Sequence, residues 1–130
     1  MGKRAFLDTH VAVWLATGDK RLSKVALREI NSKSETVISS ISLAELEILA
    51  TMNKMKLPAN LAKVFSDNGV GVEPFDAAAA TQLSKFPYLQ RHDPIDRMIL
   101  AQASIQIGTT FFTADEAITG LDYDWVFACD

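Results

Sequence analysis

The chain has a single cysteine, Cys129, among its 130 residues, which excludes an internal disulfide and any metal site built from several thiolates. It has no apolar run near the length of a membrane span, so no membrane partner is expected. The opening Met-Gly-Lys-Arg leads into only Ala5-Phe6-Leu7 before Asp8, too short for the core of a secretory signal. Position 6 is Phe rather than Ser or Thr, which argues against myristoylation of Gly2. A cytoplasmic location is expected. Excess positive charge is also lacking, since 13 Lys and Arg face 16 Asp and Glu for a net charge of −3. Proteins that live by non-specific phosphate contacts are normally basic. Any nucleic-acid reading must therefore rest on local cations, or on metal ions that reverse the sign of an acidic pocket. Repeats, linkers and low-complexity tracts are absent as well.

What remains is an ordinary globular composition, 48% hydrophobic and 22% charged, with a length that fits one domain, 1–130, and its core. Ala5-Phe6-Leu7 has the look of a buried strand. Asp8-Thr9 can cap a helix from His10 to Ala16 that Gly18-Asp19 breaks. Ser23 caps the next helix, to about Ser32, with Val25, Ala26 and Ile30 expected inward. Glu35–Ser39 reads as a strand by its β-branched content. Ser42-Leu43-Ala44-Glu45 spells a capping box for a helix to about Met55, on which Ile41, Glu45, Ile48, Leu49 and Met52 share one stripe. A helix from Pro58 to about Ser66, a strand at Val70–Glu73 and an Ala-rich helix from Asp76 follow. Ser84 to His92 reads as a loop.

The stretch His92-Asp93-Pro94-Ile95-Asp96-Arg97-Met98-Ile99-Leu100-Ala101-Gln102-Ala103 then opens a helix, with Asp93 as N-cap and Pro94 at the first helical position. Asp96 heads a line through Leu100, Ala103 and Ile107 that is otherwise apolar, and Gly108 is the expected stop. Thr110-Phe111-Phe112 is the fourth strand. Thr113-Ala114-Asp115-Glu116 starts a short helix with Thr113 as a possible cap, and Asp124–Ala128 is the last strand. Alternating strands and helices predict a three-layer α/β/α sandwich on a mainly parallel sheet of four to five strands.

In such a sheet the C-terminal strand ends and the helix N-termini share one edge, where ligands bind. Asp8 follows the first strand, Asp115 follows the fourth by two residues, and Glu45 and Asp96 lie in the first turns of two helices. Glu45, Asp96 and Glu116 each also fit a capping box, and Asp8 could simply cap. Asp8, Glu45, Asp96 and Asp115 together could converge on one crevice, where helix dipoles worth about 0.3–1 kcal/mol each cannot offset their mutual repulsion. Hard divalent cations such as Mg²⁺ or Mn²⁺ would, and such a site suits phosphodiester hydrolysis.

The pattern resembles the PIN-domain ribonucleases, in particular the VapC-type toxins of toxin–antitoxin pairs. Phe6-Leu7-Asp8-Thr9-His10 with Trp14, Ser39-Ser40-Ile41-Ser42-Leu43-Ala44-Glu45-Leu46, the block from His92 to Ala103, and Thr113-Ala114-Asp115 carry the resemblance end to end in the family's order. Ile95 stands where the family usually has an aromatic, a conservative departure. The resemblance implies a Mg²⁺- or Mn²⁺-dependent endoribonuclease with Asp8 and Asp96 as principal ligands. It implies that Glu45 binds a second ion or orients water, and that Asp115 completes the cluster. Thr113 would hold a water or an acid by its hydroxyl. Asp93, the fifth acid, is read as a cap. Arg97, Arg91 and His92 could meet substrate phosphate or simply be solvated, and His10 and Trp14 are expected to pack. The family also implies a homodimer, an RNA substrate and a cognate antitoxin covering the groove.

Rival readings of an acidic α/β edge fit less well. A response-regulator receiver wants paired acids after the first strand and a lysine after the last, but Asp8 stands alone and the final lysine is Lys85. A haloacid-dehalogenase phosphatase wants a second Asp two positions beyond Asp8, where this chain has His10. A non-catalytic PIN-like scaffold remains the alternative.

Overall fold

The structure is a computed structural model that describes residues 3–87 and 93–129. Its strands are β1 (Arg4–Leu7), β2 (Glu35–Ser39), β3 (Val70–Glu73), β4 (Thr109–Thr113) and β5 (Val126–Ala128). Its helices are α1 (Thr9–Thr17), α2 (Lys24–Asn31), α3 (Ser40–Thr51), α4 (Leu61–Asp67), α5 (Ala77–Thr81), α6 (Pro94–Ala103) and α7 (Glu116–Thr119), with a 3₁₀ turn at Gln82–Lys85. The strands form one sheet in the order β3-β2-β1-β4-β5, every pair parallel.

Successive side chains on a strand point to opposite faces, and here both faces are covered. Ala5, Leu7, Ile38 and Phe112 meet Val11 and Ala12 of α1, Ala26 and Ile30 of α2, Leu46 of α3, and Leu61 and Phe65 of α4. On the other face Phe6, Val37 and Phe111 meet Ile99–Ala101 and Ala103 of α6, Ile118 of α7, and Phe86. Burying each of these large side chains contributes roughly 1.5–3 kcal/mol, and the alternation fixes the three-layer sandwich that the sequence predicts.

The order of the strands reverses at β1. The chain steps outward from β1 through β2 to β3, then returns to lay β4 on the other side of β1. The β1–β4 boundary is therefore the switch point of a doubly wound sheet, where a crevice opens beyond the carboxyl ends of the strands. Leu7 of β1 is in register with Phe112 of β4, so the next residues, Asp8 and Thr113, face one another there.

Several expected details differ. α3 starts at Ser40 with Ser39 as its N-cap, whose hydroxyl accepts the Ile41 N–H at 3.0 Å. β2 thus runs into α3 without a loop, and Ser42 lies inside the helix, fully buried. α3 ends at Thr51, before the expected Met55. Its buried positions are Ser42 and Leu46, whereas Ile48 and Met52 of the expected stripe are 55% and 53% exposed. The inner face is thus rotated by one residue, to Ser42 and Leu46, with Ser42 held by Thr9 of α1. Val25 is exposed while Ala26 and Ile30 are buried. α4 starts at Leu61 rather than Pro58, behind Asn60 in a left-handed conformation. α6 ends at Ala103, so Ile107 leaves the helical line and is almost fully exposed. Part of the expected Ser84–His92 loop is the 3₁₀ turn, and 88–92 lie outside the described residues.

On the sheet face under α6, Arg4 is buried and forked onto Glu73, at 2.6 Å to Oε1 and 3.2 Å to Oε2. Its Nε donates to Thr109 Oγ1 at 3.2 Å, and Gln102 of α6 donates to the Glu73 carboxylate and to the Glu73 and Pro74 carbonyls. This network clamps α6 to β1, β3 and β4. Among the described residues no helix is long and apolar enough to cross a membrane.

Candidate metal centre at the sheet switch point

Asp8 is the first residue beyond β1. Its main-chain N–H donates to the Phe112 carbonyl at 3.0 Å, extending the β1–β4 ladder by one rung. Its side chain caps α1, with Oδ1 accepting the His10 N–H at 2.9 Å, and only 7% of the residue is exposed. Thr113, the last residue of β4 and fully buried, donates its hydroxyl hydrogen to Asp8 Oδ2 at 2.5 Å. The Thr113 hydroxyl oxygen in turn accepts the Asp115 N–H at 3.0 Å. Thr113 is therefore not the helix cap that the sequence suggests. Asp115 caps α7, its Oδ1 accepting the Ala117 N–H at 2.9 Å.

The third acid arrives on α6. Asp93 caps that helix as expected, accepting the Ile95 N–H at 2.9 Å, and is exposed. Pro94 follows at the first helical position, and Asp96 sits half-buried within the first turn. Asp8, Asp96 and Asp115 line one cleft of about 240 Å³, together with His10, Trp14 and Ala114.

The electrostatics follow from that crowding. Burial pushes the Asp8 carboxyl above its usual range, against the hydrogen bonds from Thr113 and His10 that favour the anion. Asp96 is pushed up to about 7, first by burial and then by the charges of Asp8, Asp93 and Asp115. Asp115 also accepts a hydrogen bond from the protonated Asp96 side chain, which holds the proton on Asp96. A proton on Asp96 is thus favoured where like charges would otherwise repel.

Glu45 stands apart. It is half-buried on α3, does not line the cleft, and is not among the charges acting on Asp8 or Asp96. It is nevertheless tied toward the centre. One turn before it, Ser42 Oγ accepts a buried hydrogen bond from Thr9 Oγ1 at 2.9 Å, joining α3 to the residue after Asp8. Arg97 does not face the cleft; its Nη2 donates to the Leu83 carbonyl at 2.9 Å. Arg91 and His92 lie outside the described residues. Trp14 packs against the core as expected and also lines the cleft, whereas His10, expected to pack, is exposed at the cleft. Their positions one helical turn apart behind Asp8 were the available signal.

The donor set suits a hard divalent cation, being all carboxylate oxygen with one buried hydroxyl that orients two of the acids. Among the described residues no group of three or more His, Cys, Asp or Glu side chains stands in a geometry that would itself hold a metal ion. Asp8, Asp96 and Asp115 line one cleft without closing into such a cage.

Comparison with known proteins agrees with this architecture. The PIN-domain family profile matches residues 5–122. Ribonuclease VapC22 of Mycobacterium tuberculosis is 34% identical over 118 residues, covering 86% of this chain and 87% of that protein. VapBC2 from Rickettsia felis, solved bound to a DNA fragment from its promoter, superposes with a TM-score of 0.67 at 18% identity, over 98% of this chain and 99% of that one. DNA-bound VapBC from Salmonella typhimurium gives 0.68 at 22% identity, with the same coverage. At such identities the structural likeness speaks to the fold, and the sequence match speaks to the family. The chain belongs to the PIN-domain family, in its VapC branch.

Proposed function

We propose that this protein is a Mg²⁺- or Mn²⁺-dependent endoribonuclease, the toxin of a toxin–antitoxin pair. The observation that carries the reading is the convergence of Asp8, Asp96 and Asp115, from three distant parts of the chain, on one cleft at the β1–β4 switch point. The 34% identity to a ribonuclease of the VapC type supports the substrate class, and the likeness to VapBC complexes supports an antitoxin as partner. A homodimer is part of the same proposal, on the resemblance of the sequence to its family.

In this reading Asp8 and Asp96 hold the principal ion, with Asp115 beside them directly or through water. A bound divalent cation would supply an activated water and stabilise the leaving oxygen of the phosphodiester. Thr113 keeps Oδ2 of Asp8 turned toward β4 and fixes the Asp115 backbone. Asp96 would have to release its proton to serve as a ligand to the ion. Glu45 takes a second ion or orients water from the α3 side, and its tether is the Thr9–Ser42 hydrogen bond. Asp93 remains a cap. Arg97, held by Leu83, steadies the start of α6. Arg91 and His92 stay as candidate phosphate contacts.

The test is incubation of the purified protein with total RNA, with and without EDTA, followed by sequencing of the cut ends. Endonucleolytic cuts that require divalent metal, and that Asp8→Asn abolishes in a folded protein, are expected. Cleavage that persists in EDTA refutes the mechanism. A folded protein that cuts nothing with metal supplied favours the non-catalytic scaffold.

A further inference from the structure

Besides its three carboxylates, the acid cleft is lined among the described residues by His10, Trp14 and Ala114. Ala114 offers only a methyl group, and Trp14 packs against the core. His10 is different. It is the second residue of α1, and its main-chain N–H is fixed on Asp8 Oδ1 at 2.9 Å. Its imidazole is exposed and forms no hydrogen bond with another described residue. The ring is near enough to Asp8 for its positive charge to favour the carboxylate. The backbone of this residue is therefore anchored at the centre of the site while its side chain is uncommitted.

We propose that His10 is a catalytic residue whose imidazole N–H donates a hydrogen bond to a non-bridging oxygen of the scissile phosphate. The inference rests on the nuclease reading above and adds a residue to it. Ionised carboxylates only accept hydrogen bonds, so Asp8, Asp96 and Asp115 can hold a cation but offer nothing to the phosphate itself. The charge that builds on the non-bridging oxygens during displacement is met best by donors already in place. Other donors near the cleft are committed elsewhere. Arg97 is bound to the Leu83 carbonyl and does not line the cleft. The indole of Trp14 is held by its packing and by Arg21, whose guanidinium lies 5.3 Å from the ring centre. His10 remains, on a helix start whose partial positive charge also favours an anion. A neutral imidazole keeps one N–H, so the contact needs no change of charge and the hydrogen stays on nitrogen.

The experiment compares the full-length parent with His10→Leu and His10→Gln in single-turnover cleavage of a labelled, unstructured oligoribonucleotide, with Mn²⁺ supplied. Calorimetric Mn²⁺ titration and thermal denaturation are run on the same three proteins. His10→Leu is expected to lower the saturating rate about ten- to a hundredfold, the range for losing a hydrogen bond to a charged group. The protein concentration for half-maximal rate, the Mn²⁺ affinity and Tm should stay at the parent values. His10→Gln keeps an N–H donor and should recover most of the rate. Sulfur is then placed at each non-bridging position of the cut phosphate in turn. The parent should slow when sulfur replaces the oxygen that His10 contacts, and His10→Leu should lose little further at that position. A His10→Leu protein that cleaves like the parent makes His10 a solvated helix-start residue and overturns the proposal. Sulfur sensitivities that are the same in parent and His10→Leu overturn it too. So does Mn²⁺ affinity that falls in step with the rate, because the imidazole would then act through the ion or through Asp8. A parent protein that cleaves nothing overturns the nuclease reading instead, and that failure is read from the parent alone.

Discussion

Thr113 and Asp8, 105 positions apart in the sequence, are joined by a buried hydrogen bond in which the threonine hydroxyl donates to Oδ2 of the aspartate. The bond exists because β4 lies directly beside β1 in register, so that both strands end at the same level. Thr113 also accepts the Asp115 N–H, and one side chain thus sets the positions of two acids.

Replacing that hydroxyl tests how much the orientation matters. Thr113→Val keeps the shape and buries no new polar group, but leaves Asp8 Oδ2 and the Asp115 N–H without this partner. A loss of about 10–100-fold in metal affinity or cleavage is expected, the usual range when a group that orients a ligand is removed. Thr113→Ser should recover most of it. Titration calorimetry with Mn²⁺ and a cleavage assay on the three proteins check this.

The crowded acids also make stability depend on pH in a direction opposite to that of a salt-bridged aspartate. Asp96 titrates near 7 in the folded protein against 3.8 ordinarily. Between about pH 4 and about pH 7 the folded state keeps a proton that the unfolded chain has released, so stability falls as pH rises through that window. Above pH 7 the loss is complete. In EDTA, thermal denaturation should show Tm decreasing from about pH 5 to about pH 8, and Asp96→Asn should flatten the slope. Asp8, whose carboxyl is also shifted upward, contributes in the same sense and leaves a residual slope in that variant.

Glu45 separates the roles of the acids. Since it does not line the cleft, Glu45→Gln should leave Mn²⁺ affinity at the Asp8–Asp96–Asp115 cluster unchanged while lowering the cleavage rate. Parallel calorimetry and single-turnover cleavage measure the two effects. Loss of both together would place Glu45 among the ligands of the first ion.

Away from the site, Glu73→Ala removes the fork on the buried Arg4 guanidinium, leaving it Thr109 and a longer contact of 3.7 Å with Glu35, and removes an acceptor of Gln102. Removing one member of a buried pair costs about 3–5 kcal/mol, and the lower end or less is expected here because the Glu73 side chain is 31% exposed. Urea denaturation measures the loss. Mn²⁺ binding by the folded fraction should be unaffected.

The sequence made the layers and the site edge legible for identifiable reasons. Ala5–Leu7 and Glu35–Ser39 are short, bounded runs of strand-forming residues, and the three-residue block Asp93-Pro94-Ile95 carries both a cap and a fixed φ, so β1, β2 and the start of α6 were readable from local chemistry. The same local logic misplaced the start of α3. Ser39 and Ser42 are equally good caps by type, and only the tertiary contact of Ser42 with Thr9 shows that the second one is inside the helix. Ile48 and Met52 of the expected stripe are exposed as well. Thr113 failed in the same way: its spelling fits a capping box, but β1 offers it Asp8, a partner no local window contains. Convergence of Asp8, Asp96 and Asp115 was foreseeable from the parallel-sheet rule, whereas the separation of Glu45 depends on which way α3 faces. The cleft role of His10 and Trp14 was hidden because an apolar-looking helix face behind a cap reads as packing.

The central claim is that the acids gathered at the β1–β4 boundary are built to take a divalent cation in exchange for the proton on Asp96. It is tested most directly by calorimetric titration of Mn²⁺ into the protein at about pH 6 and about pH 8, in two buffers of different ionisation enthalpy. Tighter binding at the higher pH is predicted, with proton release detected at the lower pH and little at the higher. Asp96→Asn should abolish both binding and release. Mn²⁺ affinity that is the same at both pH values, and the same in Asp96→Asn, would contradict the account.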